Sequence, residues 1–142
     1  MINEISIITE LASTFRLLIE NTNEKDFGKS TWFNDFPFGC CADTSELLAE
    51  YLRGNGVETQ LVRGTYGVLT HAWLEYKDYI IDITADQFCD VQEKIIVTDN
   101  KEWYAKFNVQ ERRNVDFDDM DDYNSVRLWN LYRNIVNKSS EV

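Results

Sequence analysis

The chain has 142 residues, 44% hydrophobic and 13% aromatic, which suits one globular domain over 1–142 and excludes a disordered chain. Its formal net charge of −11 opposes the positive field that nucleic acid or an anionic membrane surface requires, and its densest basic cluster is only Arg112-Arg113. No apolar run reaches membrane-spanning length, and the first ten residues lack the basic and apolar regions of a secretory signal.

Ile5, Ile8, Leu11, Ala12, Phe15, Leu18 and Ile19 recur at helical spacing and predict an N-terminal helix over 2–20. A polar, turn-rich stretch over 21–28 follows. The aromatic run Thr31-Trp32-Phe33-Asn34-Asp35-Phe36-Pro37-Phe38-Gly39 holds the sole proline and reads as a packed loop. A second helix begins near Cys40-Cys41. Its apolar face is Leu47, Leu48, Tyr51 and Leu52, Asp43 with Glu46 reads as a capping box, and Gly54-Asn55-Gly56 ends it.

Three strands are predicted next, over 58–64, 69–76 and 79–84, the last two joined by Lys77-Asp78 as a tight hairpin. A two-residue turn pairs Tyr76 with Tyr79. His71 then faces Thr84 and Asp82 faces Trp73, so His71 and Asp82 form a diagonal pair on one face of the hairpin. Ile95-Ile96-Val97 is a further short strand, and 101–107 reads as a short helix. The acidic run over 116–122 reads as solvated surface. Val126, Leu128, Trp129, Leu131, Tyr132, Ile135 and Val136 predict a C-terminal helix over about 121–137, with a frayed tail over 138–142. Helices packed on a small antiparallel sheet make the expected fold class α+β.

The residues that carry chemistry follow one another in a telling order. A glycine-flanked thiol pair, Cys40-Cys41, lies at a helix start, where unpaired N–H groups and the helix dipole favour a thiolate and an oxyanion. The only histidine, His71, follows on a strand, and Asp82 follows on the next, inside the apolar run Ile80-Ile81-Asp82-Ile83. Free cysteine is commonly a small buried hydrophobe, but thiol, imidazole and carboxylate in this order are what a nucleophile, its base and the base's orienting acid require. The helical face does not separate Cys40 from Cys41, so either is a candidate nucleophile. Asn34 and Trp32 are candidate oxyanion donors, although a loop turn and core packing are their ordinary uses. Trp73, Asp86 and Gln87 are candidate cleft-lining residues. Three cysteines, two of them adjacent, make no disulfide framework and suit a reducing cytoplasm. No C-x-x-C or H-x-x-x-H spacing is present, so no metal and no cofactor is expected.

At Gly39-Cys40-Cys41, at the helix closing on Gly54-Asn55-Gly56, at His71-Ala72-Trp73 and at Ile81-Asp82-Ile83 the chain resembles the transglutaminase-like branch of the papain-like cysteine protease superfamily, over about a third of its length. In that family the glycine stands two residues before the nucleophile, which selects Cys41. The residue after the nucleophile is commonly aromatic there and is Ala42 here. The resemblance implies a helix packed on an antiparallel sheet with a Cys41-His71-Asp82 triad at their junction, and metal-free acyl chemistry on a peptide or protein amide. The expected function is a thiol-dependent amide hydrolase of the cysteine peptidase or glutamine deamidase type. Acyl transfer to an amine acceptor and a non-catalytic protein-binding module of the same fold are the alternatives. The sequence sets no oligomeric state.

Overall fold

The computed structural model describes residues 3–137. Helix α1 spans Glu4–Glu20 and is capped by Asn3, whose side chain accepts the Ile5 N–H at 3.0 Å. Helix α2 spans Cys41–Gly54. Strands β1 (Gln60–Tyr66), β2 (Leu69–Tyr76), β3 (Tyr79–Asp82), β4 (Ile96–Thr98) and β5 (Asn108–Asn114) precede helix α3 (Asp122–Val136). They form one antiparallel sheet in the order β4-β3-β2-β1-β5. The architecture is α+β, as the alternation of helical and strand periodicities implies.

Both faces of the sheet are covered, by different means. On one face Leu61, Leu74 and Ile81 join a core with Ile8, Phe15, Leu47, Leu52, Leu128 and Leu131 from the three helices. On the other, Val62, Trp73 and Ile80 are buried with Tyr104 and Phe107, and Phe88 and Trp103 pack against them. That second cover is the long connection between β3 and β5, which holds only β4 and two short 3₁₀ turns, Ala85–Gln87 and Tyr104–Lys106.

Arg16 fastens this connection to α1. Its guanidinium is 4% exposed, bonds both Asp86 carboxylate oxygens at 2.6 and 2.8 Å, and donates to the Ile83 carbonyl at 2.8 Å. Such a bidentate charged pair fixes geometry as well as adding energy. It anchors the chain just after β3, where Asp82 and Gln87 must be placed.

Several sequence expectations change. Asp43 and Glu46 are not a capping box. The N-cap of α2 is Cys40, with no side-chain cap bond, while Asp43 pairs with Arg127 and Glu46 with Arg113. The first strand begins two residues later than expected, and the third stops at Asp82. The segment over 101–107 is a single 3₁₀ turn and not a helix. β5 was not expected, because Asn108–Asn114 is almost entirely polar; it is an edge strand held by its ladder to β1. The acidic run is more than solvated surface: Phe117 within it is fully buried, Asp118 accepts the Trp129 indole N–H at 2.8 Å, and Asp121 caps α3. The expected tail over 138–142 lies outside the described residues. No helix among the described residues is long and apolar enough to cross a membrane.

Gly64 pairs with His71 across β1 and β2, beside a register shift in the β1–β5 ladder. A Cβ placed there would stand 2.8 Å from the Phe107 Cβ and 3.2 Å from the Asn108 carbonyl oxygen. The missing side chain therefore lets the second cover settle onto the sheet beneath His71. Gly64→Ala is expected to destabilise the fold by about 1–3 kcal/mol, the usual cost of overpacking. Chemical denaturation measures this, and an unchanged unfolding midpoint would contradict the account.

Candidate active site

The approach to α2 depends on Gly39, whose φ of +72° lies in the left-handed region. The chain turns there and places Cys40 at the N-cap and Cys41 as the first helical residue. β2 is longer than β3: their ladder runs only over Leu74, Glu75 and Tyr76, leaving Leu69 to Trp73 without a β3 partner. The first turn of α2 fills part of that vacancy. Ser45 Oγ donates to the Ala72 carbonyl at 3.3 Å, and the Cys41 thiol lies within the electrostatic influence of His71 and the Ala72 backbone, both of which lower its pKa. The early end of β3 thus admits a helix N-terminus to the strand that carries the imidazole.

The hairpin register matches the expected pairing, Tyr76 with Tyr79, Glu75 with Ile80 and Leu74 with Ile81. The diagonal contact that it implies is present: His71 Nε2 lies 2.7 Å from Asp82 Oδ2. With Nε2–H donated to Asp82, the thiol of Cys41 is left to meet Nδ1. Asp82 is 2% exposed, and both of its oxygens are occupied. Oδ1 accepts the Thr84 N–H at 2.9 Å, and Oδ2 also accepts the Tyr104 hydroxyl at 2.8 Å. A buried carboxylate is tolerable only when so paired.

The electrostatics follow from these contacts. Burial pushes the Asp82 carboxyl up, but the charge and hydrogen bond of His71, with those from Thr84 and Tyr104, hold it below the usual carboxylate range. Burial pulls the His71 pKa down, and the neighbouring Asp82 overrides it, raising His71 to about 9. Burial likewise pushes the Cys41 thiol up, yet the hydrogen bond and charge of His71 and the Ala72 backbone bring it below its ordinary value. Cys40 has no such neighbour, and burial takes it up to about 12. The arrangement holds His71 as imidazolium at neutral pH and shifts Cys41 toward its thiolate, with Cys40 a buried neutral thiol.

His71 is 0% exposed. Its ring lies 5.0 Å from Phe88, 5.7 Å from Trp73, 5.9 Å from Trp103 and 6.0 Å from Phe107, all ring-centre separations. This enclosure excludes water from the ion pair and strengthens it. Of the expected cleft residues, Trp73 forms part of that enclosure, and Gln87 reaches the ring, its Nε2 lying 3.4 Å from Nδ1 while donating to the Thr84 carbonyl at 3.1 Å.

Asp86 does not line the cleft; Arg16 holds it. Asn34 is exposed and lines a cavity of about 220 Å³ that includes Phe36 but neither Cys41 nor His71. Trp32 is engaged elsewhere too: its indole N–H bonds Asp43 at 3.0 Å, with the Arg127 guanidinium 5.1 Å above its ring. Tyr104 and Arg16 escaped the sequence reading. The signal for Arg16 was an arginine inside the apolar stripe of a helix; Tyr104 had none, since nothing local ties it to Asp82, 22 residues away. Among the described residues, no group of three or more His, Cys, Asp or Glu side chains is placed to hold a metal ion. No protein-family model, curated protein or solved structure matches the chain.

Tyr104 and His71 donate to the same oxygen of Asp82, so they compete for it. Burial and the Asp82 charge push the Tyr104 pKa up and keep the phenol a donor. Tyr104→Phe is expected to leave Asp82 Oδ2 wholly to His71 and raise the His71 pKa further, read from the pH dependence of the imidazole NMR resonances. A His71 pKa that stays put or falls in the folded variant would contradict this reading of the carboxylate.

Proposed function

We propose that this protein is a thiol-dependent amide hydrolase with a transglutaminase-like, papain-like core, in which Cys41, His71 and Asp82 are the catalytic triad. The observation that carries the reading is the His71 Nε2 to Asp82 Oδ2 contact of 2.7 Å, with Cys41 the first residue of α2 and its thiol lowered in pKa by the charge of His71. It is the disposition that nucleophilic acyl chemistry needs: a nucleophile on its base, and the base on an orienting acid.

The Cys41 thiolate attacks the amide carbonyl carbon and forms a carbon–sulfur bond. The negative charge that develops on the carbonyl oxygen meets the unpaired backbone N–H groups of the first turn of α2. His71 gives its Nδ1 proton to the leaving amine as the carbon–nitrogen bond breaks. A water molecule then attacks the thioester with His71 taking its proton, and the acid product leaves as the thiol sulfur is released. Asp82 keeps the ring in one tautomer and balances its positive charge throughout. The apolar surroundings of His71 favour this pairing because charges interact more strongly away from water.

The two adjacent thiols supply an internal control. In a Cys89→Ser background, which removes the exposed third thiol, labelling by iodoacetamide or a peptide aldehyde at neutral pH is expected to vanish in Cys41→Ala and persist in Cys40→Ala, with amide hydrolysis following the same pattern. Mass spectrometry of the labelled protein decides it. Labelling of Cys40 in place of Cys41 would overturn the assignment of the nucleophile.

A further inference from the structure

The sheet face that carries His71 continues toward the β1–β2 turn as uncovered apolar surface. Leu69 stands two residues before His71 on β2 and so shares its face, and its cross-strand partner is Tyr66. They are 44% and 51% exposed. Tyr66 meets Phe107 edge-on at 6.2 Å, and Phe107 is itself part of the enclosure of His71. Lys106 extends over these rings. Its Nζ is 4.1 Å from the centre of Trp103 and 5.5 Å from those of Tyr66 and Phe107. Because Trp103 lies 5.9 Å from His71, the ammonium is at most about 10 Å from the imidazole.

Aromatic faces hold a cation in place without neutralising it. The carboxylate paired with Lys106 is Asp90, at 4.0 Å, whose side chain is 57% exposed and already accepts the Trp103 indole N–H at 2.8 Å. So loose a pair adds little stability, and it leaves the ammonium hydrogens available. In a chain of net charge −11, a positive charge held beside the reactive histidine is a distinctive feature.

Chemistry says which half of a substrate meets this surface. His71 protonates the leaving amine, so the leaving half lies on the His71 side, over Tyr66 and Leu69. We infer that this surface receives the last residue of a peptide, with its apolar side chain on Tyr66 and Leu69 and its free α-carboxylate on Lys106. The lengths agree. An amine about 3 Å from Nδ1, a carboxylate oxygen roughly 3.5 Å beyond it along N–Cα–C, and a charge-assisted hydrogen bond of about 2.8 Å together span about 9 Å.

The inference rests on the amide hydrolase reading and narrows it to release of a single apolar C-terminal amino acid. The bond from the penultimate carbonyl carbon to the last nitrogen breaks as the Cys41 thioester forms. The released amino acid carries away the imidazolium proton, and water supplies the hydroxyl of the shortened peptide.

The test uses peptides ending in leucine or phenylalanine, as the free acid or the amide, with products read by mass spectrometry and Cys41 labelling run in parallel. The free acid is expected to lose one residue, and amidation to raise KM about tenfold, the effect of losing one hydrogen bond to a charged group. Lys106→Gln should abolish the difference between acid and amide by raising KM for the acid, and Asp90→Asn should widen it. Equal cleavage of both forms, cleavage at internal bonds, or a preference that survives Lys106→Gln overturns the proposal. If Cys41 labels but no peptide is trimmed, this inference alone fails. If Cys41 does not label either, the hydrolase reading fails with it.

Discussion

A carboxylate with almost no access to water, hydrogen-bonded to the only imidazole in the chain, is the constraint around which the structure is arranged. Left alone, a charge at Asp82 would be costly on the scale of whole-domain stability. It is tolerated because four groups converge on it: the His71 ring, the Thr84 amide, the Thr84 hydroxyl and the Tyr104 phenol. They come from three separate requirements of the fold. The hairpin register brings His71, the turn after β3 brings Thr84, and the second cover of the sheet brings Tyr104. Arg16 stabilises the arrangement from behind by fixing Ile83 and Asp86 to α1.

The thiol belongs to the same arrangement through a difference in strand length. β3 ends at Asp82, while β2 continues past His71 toward Leu69. A helix start fills the space that another β3 residue would have taken, with Ser45 meeting the backbone of Ala72 in place of a ladder. Neighbouring cysteines consequently have opposite properties. Cys40 faces the apolar core and is held neutral, while one residue on Cys41 faces an imidazolium. The resulting site is half-closed, with a buried imidazole and a half-buried Cys41.

What the sequence made legible was local. Lys77-Asp78 leaves room only for a tight turn, and a tight turn sets the register, so the approach of His71 to Asp82 could be worked out from position alone. The three helices had clear 3.6-residue periodicity. The connection from β3 to β5 had no such pattern: its rings at Phe88, Trp103, Tyr104 and Phe107 are irregularly spaced, and only the sheet's far face gives them a common purpose. β5 was hidden because an edge strand exposed along one side can be polar. The candidates that failed, Asn34, Trp32 and Asp86, failed for one reason. Each is near the site in sequence, but charge and hydrogen-bonding partners distant in sequence, or an exposed loop, fix where it points. Asp43 misled in the same way, its apparent capping role being taken over by Arg127 on α3.

The central claim is that the His71–Asp82 pair ionises the sulfur of Cys41, and it is open to one direct measurement: the thiolate ultraviolet absorbance of the native protein minus that of Cys41→Ser, followed across pH. The account predicts a Cys41 thiolate whose onset lies below the ordinary thiol value of 9.0, and that lowering lost in His71→Gln. A Cys41 thiolate that appears only near 9.0, with or without His71, would contradict it.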